Sequence, residues 1–221
     1  MSADRTLDTL VAEAQALGRR HRRAVLGIAG NPGAGKSTLA ALLLAELAHR
    51  CGHDWAAHLP MDGFHLADEQ LRRLGLLDRK GAPETFDATG YAQLLERVRV
   101  ETDQDVYAPG FDRDLEQPLA GALAVPPAAR LVLTEGNYLL LDDPRWARAR
   151  NAMDAVWFVT GDQRTRTDRL IARHIRFGKT PQAAQAWVAE VDARNAALVA
   201  ATQPGADRVV VNGAHGWEFR A

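Results

Sequence analysis

The stretch "GIAGNPGAGKSTLA", Gly27–Ala40, passes from an apolar run through closely spaced glycines into a helical pattern. It contains the spacing G-x-x-x-x-G-K-[ST], met by Gly30, Gly35, Lys36 and Ser37. Gly30, Gly33 and Gly35 allow the backbone to curl so that successive N–H groups converge on an anion, and the following helix adds the positive end of its dipole. Lys36 brings an ammonium group for β- and γ-phosphates, and Ser37 a hydroxyl suited to Mg²⁺. The ligand implied is a nucleoside triphosphate, held by Asn31, Gly33, Ala34, Gly35, Lys36, Ser37 and Thr38. Of 27 basic residues only Lys36, Lys80 and Lys179 are lysines, so lysine is avoided wherever arginine serves. Inside a phosphate loop it does not, because a compact ammonium has to fit there.

Working outward, "AVLGIAG" before the loop reads as a buried strand, and a helix follows from about Gly35 to Arg50. Further apolar runs at "AAHLPMD", "ARLVLTEG", "DAVWFVT" and "DRVVVN" alternate with helical patterns. The expected class is α/β, with a central, mainly parallel five-stranded sheet flanked by helices. Pro60 suits an edge or a strand exit. Leu7, Leu10, Val11, Ala14 and Leu17 mark one face of a first helix, and Thr180-Pro181 caps another that runs to about Ala201. Residues 121–130, "GALAVPPAAR", read as a loop.

The length, 221 residues, fits one domain over 1–221. A formal charge of −1 gives no broad footprint for nucleic acid. No run reaches the length of a membrane span and no leader pattern opens the sequence, so a cytoplasmic protein is expected. The single cysteine, Cys51, excludes an internal disulfide framework.

A phosphate loop alone serves kinases, switch GTPases, transporter ATPases and motors. No Asn-Lys-x-Asp stretch provides guanine selection, and no Leu-Ser-Gly-Gly signature is present. Small-molecule phosphotransfer therefore leads. In "PMDGFHL" Asp62 emerges at the carboxyl end of the second strand, where ligands of open α/β sheets bind, placed to take the proton of an attacking hydroxyl.

The stretches "GNPGAGKST", "MDGFHL", "APETFD", "VYAPGFDR", "TEGNYLL" and "RTRTDRLIARHIR" together resemble the P-loop kinases of the phosphoribulokinase and uridine kinase family, which includes type I pantothenate kinases. The resemblance spans Gly30 to Arg176 and implies a P-loop NTPase fold of the nucleoside-kinase kind, using ATP and Mg²⁺. It implies Asp62 as base and Glu135 as the acidic group near Mg²⁺. It also points to Asp87, Tyr107, Phe111 and Arg113 on the acceptor side, with His65 and Asn137 as further contacts. Asp87 is equally placed to cap the helix that follows it.

Arg166, Arg169, Arg173 and Arg176 are spaced to share a helix face, and four such cations need an anion opposite. By resemblance this is a lid over the triphosphate, about 164–182, with Arg169 and Arg173 as its catalytic members. The implied reaction is phosphorylation of a hydroxyl on a small metabolite, a nucleoside first, then pantothenate or a sugar. Homodimer formation is left open. The rival is a regulatory or transport-coupled ATPase with no metabolite acceptor.

Overall fold

A computed structural model describes residues 3–214 and 216–220; Met1, Ser2, His215 and Ala221 lie outside the described residues. In chain order the elements are α1 (Ala3–Arg20), β1 (Ala24–Gly30), α2 (Lys36–Cys51), β2 (Ala56–His58), α3 (Asp68–Leu74), α4 (Ala88–Val100), β3 (Val106–Asp112), β4 (Gln117–Val125), β5 (Leu131–Glu135), α5 (Pro144–Asn151), β6 (Ala155–Gly161), α6 (Gln163–Arg176), α7 (Pro181–Trp187), α8 (Ala193–Ala200), β7 (Arg208–Gly213) and β8 (Gly216–Phe219). β1 is buried at every residue because it lies between β5 and β6, parallel to both, with helices on each face.

The period of two in the strands divides the core. Val25 and Ala29 of β1, Val132 of β5 and Phe158 of β6 face a layer built with Tyr91 and Leu95 of α4 and Trp146 of α5. Leu26 and Ile28, Leu133 and Trp157 face the opposite layer, built with Leu10 of α1 and Leu39 and Leu43 of α2. The near-continuous apolar runs are what burial on both faces requires.

The sheet order is β2-β5-β1-β6-β7-β8. The sheet thus has six strands rather than the expected five; the addition is β8, antiparallel to β7. Residues 121–130 are not simply a loop, because 117–125 form β4, which pairs antiparallel with β3 in a separate two-stranded sheet. The register shifts between Ala108 and Gly110, so the interruption falls at Pro109, which has no N–H to give to a ladder. "VYAPGFDR" accordingly supplies a strand and the start of a hairpin turn. The helix begun at Thr180 is interrupted by a π-turn at Val188–Asp192 before α8. No helix among the described residues is long and apolar enough to cross a membrane.

Candidate active site

β1 has β5 on one side and β6 on the other, so the chain diverges at its carboxyl end and leaves a crevice there. The glycine loop leaves β1 at that end. Gly35 takes φ 101°, the left-handed region, and precedes α2 with no side-chain cap, leaving the helix N-terminus open to a ligand. The C-terminal hairpin supports the loop from behind: Asn212 Nδ2 donates to Ala34 O at 2.9 Å, and a Cβ on Gly35 would stand 2.8 Å from the Trp217 ring.

Lys36 is buried, its Nζ donating to Asn31 O at 3.2 Å and Asn137 Oδ1 at 2.6 Å. Burial lowers its pKa to about 8, although Glu135 and Asp62 act in the opposite direction. The parallel register sets Glu135, the last residue of β5, beside Ile28, and Ser37 Oγ donates to Glu135 Oε1 at 2.9 Å. Burial, with Asp62 nearby, raises the Glu135 pKa. Among the described residues no three acidic, histidine or cysteine side chains gather into a metal cage. One hydroxyl and one carboxylate instead suit a hydrated hard cation that takes its other ligands from water and phosphates, so these residues fit Mg²⁺.

β2 is short, and Asp62 sits in the 3₁₀ turn Met61–Phe64 that follows its exit through Pro60. Arg113, from the β3–β4 turn, donates to Asp62 Oδ2 and lies 4.8 Å over the Phe111 ring. Burial alone would raise the Asp62 pKa, but His65, Arg113 and Lys36 together outweigh it and hold the carboxyl below the usual range. His65 Nδ1 lies 2.8 Å from Asp62 O, and its ring is 4.0 Å from Phe86 and 4.8 Å from Phe111. Burial lowers its pKa.

These groups line one cavity of about 410 Å³, shared by Gly33, Lys36, Ser37, Asp62, His65, Phe111, Arg113, Glu135, Asn137 and Arg173. Asn31, Ala34 and Gly35 of the same loop, and Thr38 in the first turn of α2, do not line that cavity. Three expected residues lie elsewhere. Asp87 caps α4, its side chain accepting from Gly90 N at 2.8 Å. Tyr107 stands 61% exposed on β3, and Arg169 is exposed on α6; neither borders the cavity. The face of α6 toward the loop is instead Arg166, Leu170 and Arg173: a Cβ on Gly33 would meet Arg166 O at 2.8 Å and Leu170 Cγ at 3.1 Å. Buried Leu170 sets the rotation of the helix, turning Arg169 aside.

Sequence reasoning left out Lys80, Phe86, His174, Lys179, Trp187 and Asp192, which also line the cavity. All three lysines of the chain therefore meet in one cleft.

A strand, phosphate loop and helix beneath an arginine-bearing helix, opposite a separate polar wall, define a P-loop kinase. No protein-family model matches the chain. It is 38% identical over 190 residues to the Escherichia coli protein YggC, itself named as uncharacterized, covering 86% of this chain and 78% of that one. It is 35% identical over 175 residues to a Schizosaccharomyces pombe protein named "Putative uridine kinase", covering 77% and 74%. A crystal structure titled as a "putative fructose transport system kinase", from Silicibacter sp. TM1040, matches with TM-score 0.79 at 36% identity over 90% of this chain and 98% of that one. The chain belongs to the P-loop kinases of the uridine kinase and phosphoribulokinase type, and is an ATP-binding phosphotransferase.

Proposed function

We propose that the protein transfers the γ-phosphoryl group of ATP to a hydroxyl of a small metabolite, as one kinase unit over 1–221 with 164–182 as its lid. The observation that carries this is the single cavity in which a phosphate loop faces an ionised carboxylate across a few side chains. Lys36 and the loop hold the donor phosphates. Asp62 takes the proton of the acceptor hydroxyl as its oxygen bonds to the γ-phosphorus; the bond to the bridging oxygen breaks and its electron pair stays on ADP. Arg113 releases Asp62 to the incoming hydroxyl. Arg166 and Arg173 stabilise charge on the transferred group and help exclude water. When bound, Mg²⁺ neutralises phosphate charge, held by Ser37 and, directly or through water, by Glu135.

A nucleoside acceptor is supported by the wall of His65, Phe86 and Phe111, whose rings offer faces to a planar base. A second reading, a hydroxy acid such as pantothenate or an acidic sugar, is favoured by the cations Lys80, Arg113 and Lys179 around the same cavity. The test is an acceptor screen with coupled ADP detection. A kinase gives ADP formation that a hydroxyl compound accelerates well above background; a regulatory ATPase gives hydrolysis indifferent to the panel.

A further inference from the structure

We propose that the acceptor carries an anionic group, a carboxylate or a phosphate, remote from its reacting hydroxyl, and that Lys179 of the lid receives it. This rests on the kinase reading and decides between its two acceptor classes.

Most cations of the cleft are already engaged. Lys36 serves the loop, and Arg113 is paired with Asp62. Lys80 Nζ bonds Asp68 Oδ1 at 2.7 Å and Glu116 O at 2.6 Å, tying α3 to the β3–β4 turn. Among the described residues no carboxylate pairs with Arg173 or Lys179, and both line the cavity.

Their places along the lid divide them between the two substrates. α6 meets the phosphate loop at Arg166 and Leu170, and Arg173 is close enough to act on Lys36, so Arg173 belongs to the donor. His174 lies one to two turns beyond that contact, about 6–12 Å along the axis at 1.5 Å per residue. Lys179 is folded back beside it, its N–H donating to His174 O at 3.0 Å. Lys179 and His174 thus follow the loop contact along the lid, beside Asp192, whose charge reaches Tyr138 and with it the Gly81 side of the cavity. Behind them, 78–82 and 190–195 face one another across an adjoining hollow.

The cluster presents the Lys179 ammonium to the cavity. Lys179 Nζ rests 4.2 Å over the Trp187 ring, which fixes its position and leaves its hydrogen-bond donors free. His174 Nε2 is 2.8 Å from Asp192 Oδ2, and Asp192 is buried in the π-turn that interrupts α7 and α8. That carboxylate orients the imidazole. With Asp192 engaged by His174, the half-buried ammonium of Lys179 has no carboxylate partner among the described residues, and an anion of the acceptor completes it.

The test pairs each acid with a neutral counterpart in the ADP-release assay: gluconate with glucose, pantothenate with pantothenol, uridine 5′-carboxylate with uridine, and ribose 5-phosphate with ribose. The carboxylate and phosphate arms tell the two anions apart. The expected result is a KM lower by about tenfold or more for the charged member of at least one pair. In Lys179→Met, which keeps the aliphatic stem on Trp187, that preference should vanish through a rise in acceptor KM, with ATP affinity changed less than about twofold. Equal use of a neutral member, or an acid KM unmoved by Lys179→Met, overturns the proposal alone. Acceleration by no member of any pair overturns the kinase reading and the proposal with it.

Discussion

Ser37 and Glu135, 98 residues apart in sequence, are joined by a hydrogen bond of 2.9 Å because β1 and β5 run parallel in a register that ends both at the crevice. The contact gives a hydroxyl and a buried carboxylate one common ligand site. Replacing Glu135 by Gln keeps the shape and removes the charge. Turnover should fall by about tenfold or more and the Mg²⁺ concentration for half-maximal rate should rise. A Mg²⁺ titration of initial rates measures both, and an unchanged midpoint would detach Glu135 from the metal.

Asp62→Asn should lower kcat by about two to four orders of magnitude while ATP affinity, read by calorimetry, stays within about twofold. The pH profile carries a second signature. Asp62 is held below the usual carboxylate range by His65, Arg113 and Lys36 against the effect of burial. As a base it works ionised, so activity falls as pH drops through that lowered pKa. Arg113→Met removes one of the lowering charges, and the acid limb of kcat/KM should move to higher pH.

For Lys36 the sign runs the other way. In the free protein burial lowers its pKa to about 8, whereas triphosphate requires and favours the ammonium form. ATP affinity should be greatest below about pH 8 and weaken by up to about tenfold per unit above it, with net proton uptake on binding near pH 9. Calorimetry in buffers of different ionisation enthalpy reads that uptake. The same shift costs the unliganded fold stability at neutral pH, a cost relieved as pH rises from about 8 toward the unfolded lysine value.

Arg23 is buried and donates to five carbonyls, those of Val98, Glu101, Pro126, Pro127 and Ala129, at 2.7 to 3.1 Å. It closes the carboxyl end of α4 and shapes the turn into β5. Arg23→Ala strands these acceptors and should cost about 3–5 kcal/mol in urea unfolding. A loss below about 1 kcal/mol would mean that water satisfies them.

Much of this site can be read in the sequence, and what escapes has physical causes. Gly30 to Ser37 declare their chemistry by spacing alone, Asp62 is found because an apolar run locates the carboxyl end of its strand, and Glu135 is found through the family resemblance of "TEGNYLL". β4 escapes because Pro118, Gly121 and the Pro126-Pro127 pair punctuate it like a loop, whereas pairing with β3 gives it order. The four arginines of α6 have a spacing that fits more than one rotation of the helix; only burial of Leu170 selects Arg166 and Arg173 over Arg169. Asp87 fits a cap and a ligand equally by pattern, and its bond to Gly90 N shows the cap. The support that Asn212 and Trp217 give the loop comes from contacts nearly 180 residues distant, beyond any local pattern. The lysine-poor composition did carry a signal: each of the three lysines lines the cavity.

Whether Asp62 and Lys36 serve phosphoryl transfer to a hydroxyl compound rather than hydrolysis can be read by ³¹P NMR. ATP, Mg²⁺ and the acceptor panel are incubated with the wild-type protein and the phosphorus species followed with time. A new phosphomonoester resonance should grow in step with ADP and be absent in Asp62→Asn. Growth of inorganic phosphate alone, in step with ADP and indifferent to the acceptors present, would make the protein an ATPase and remove Asp62 from the role of base.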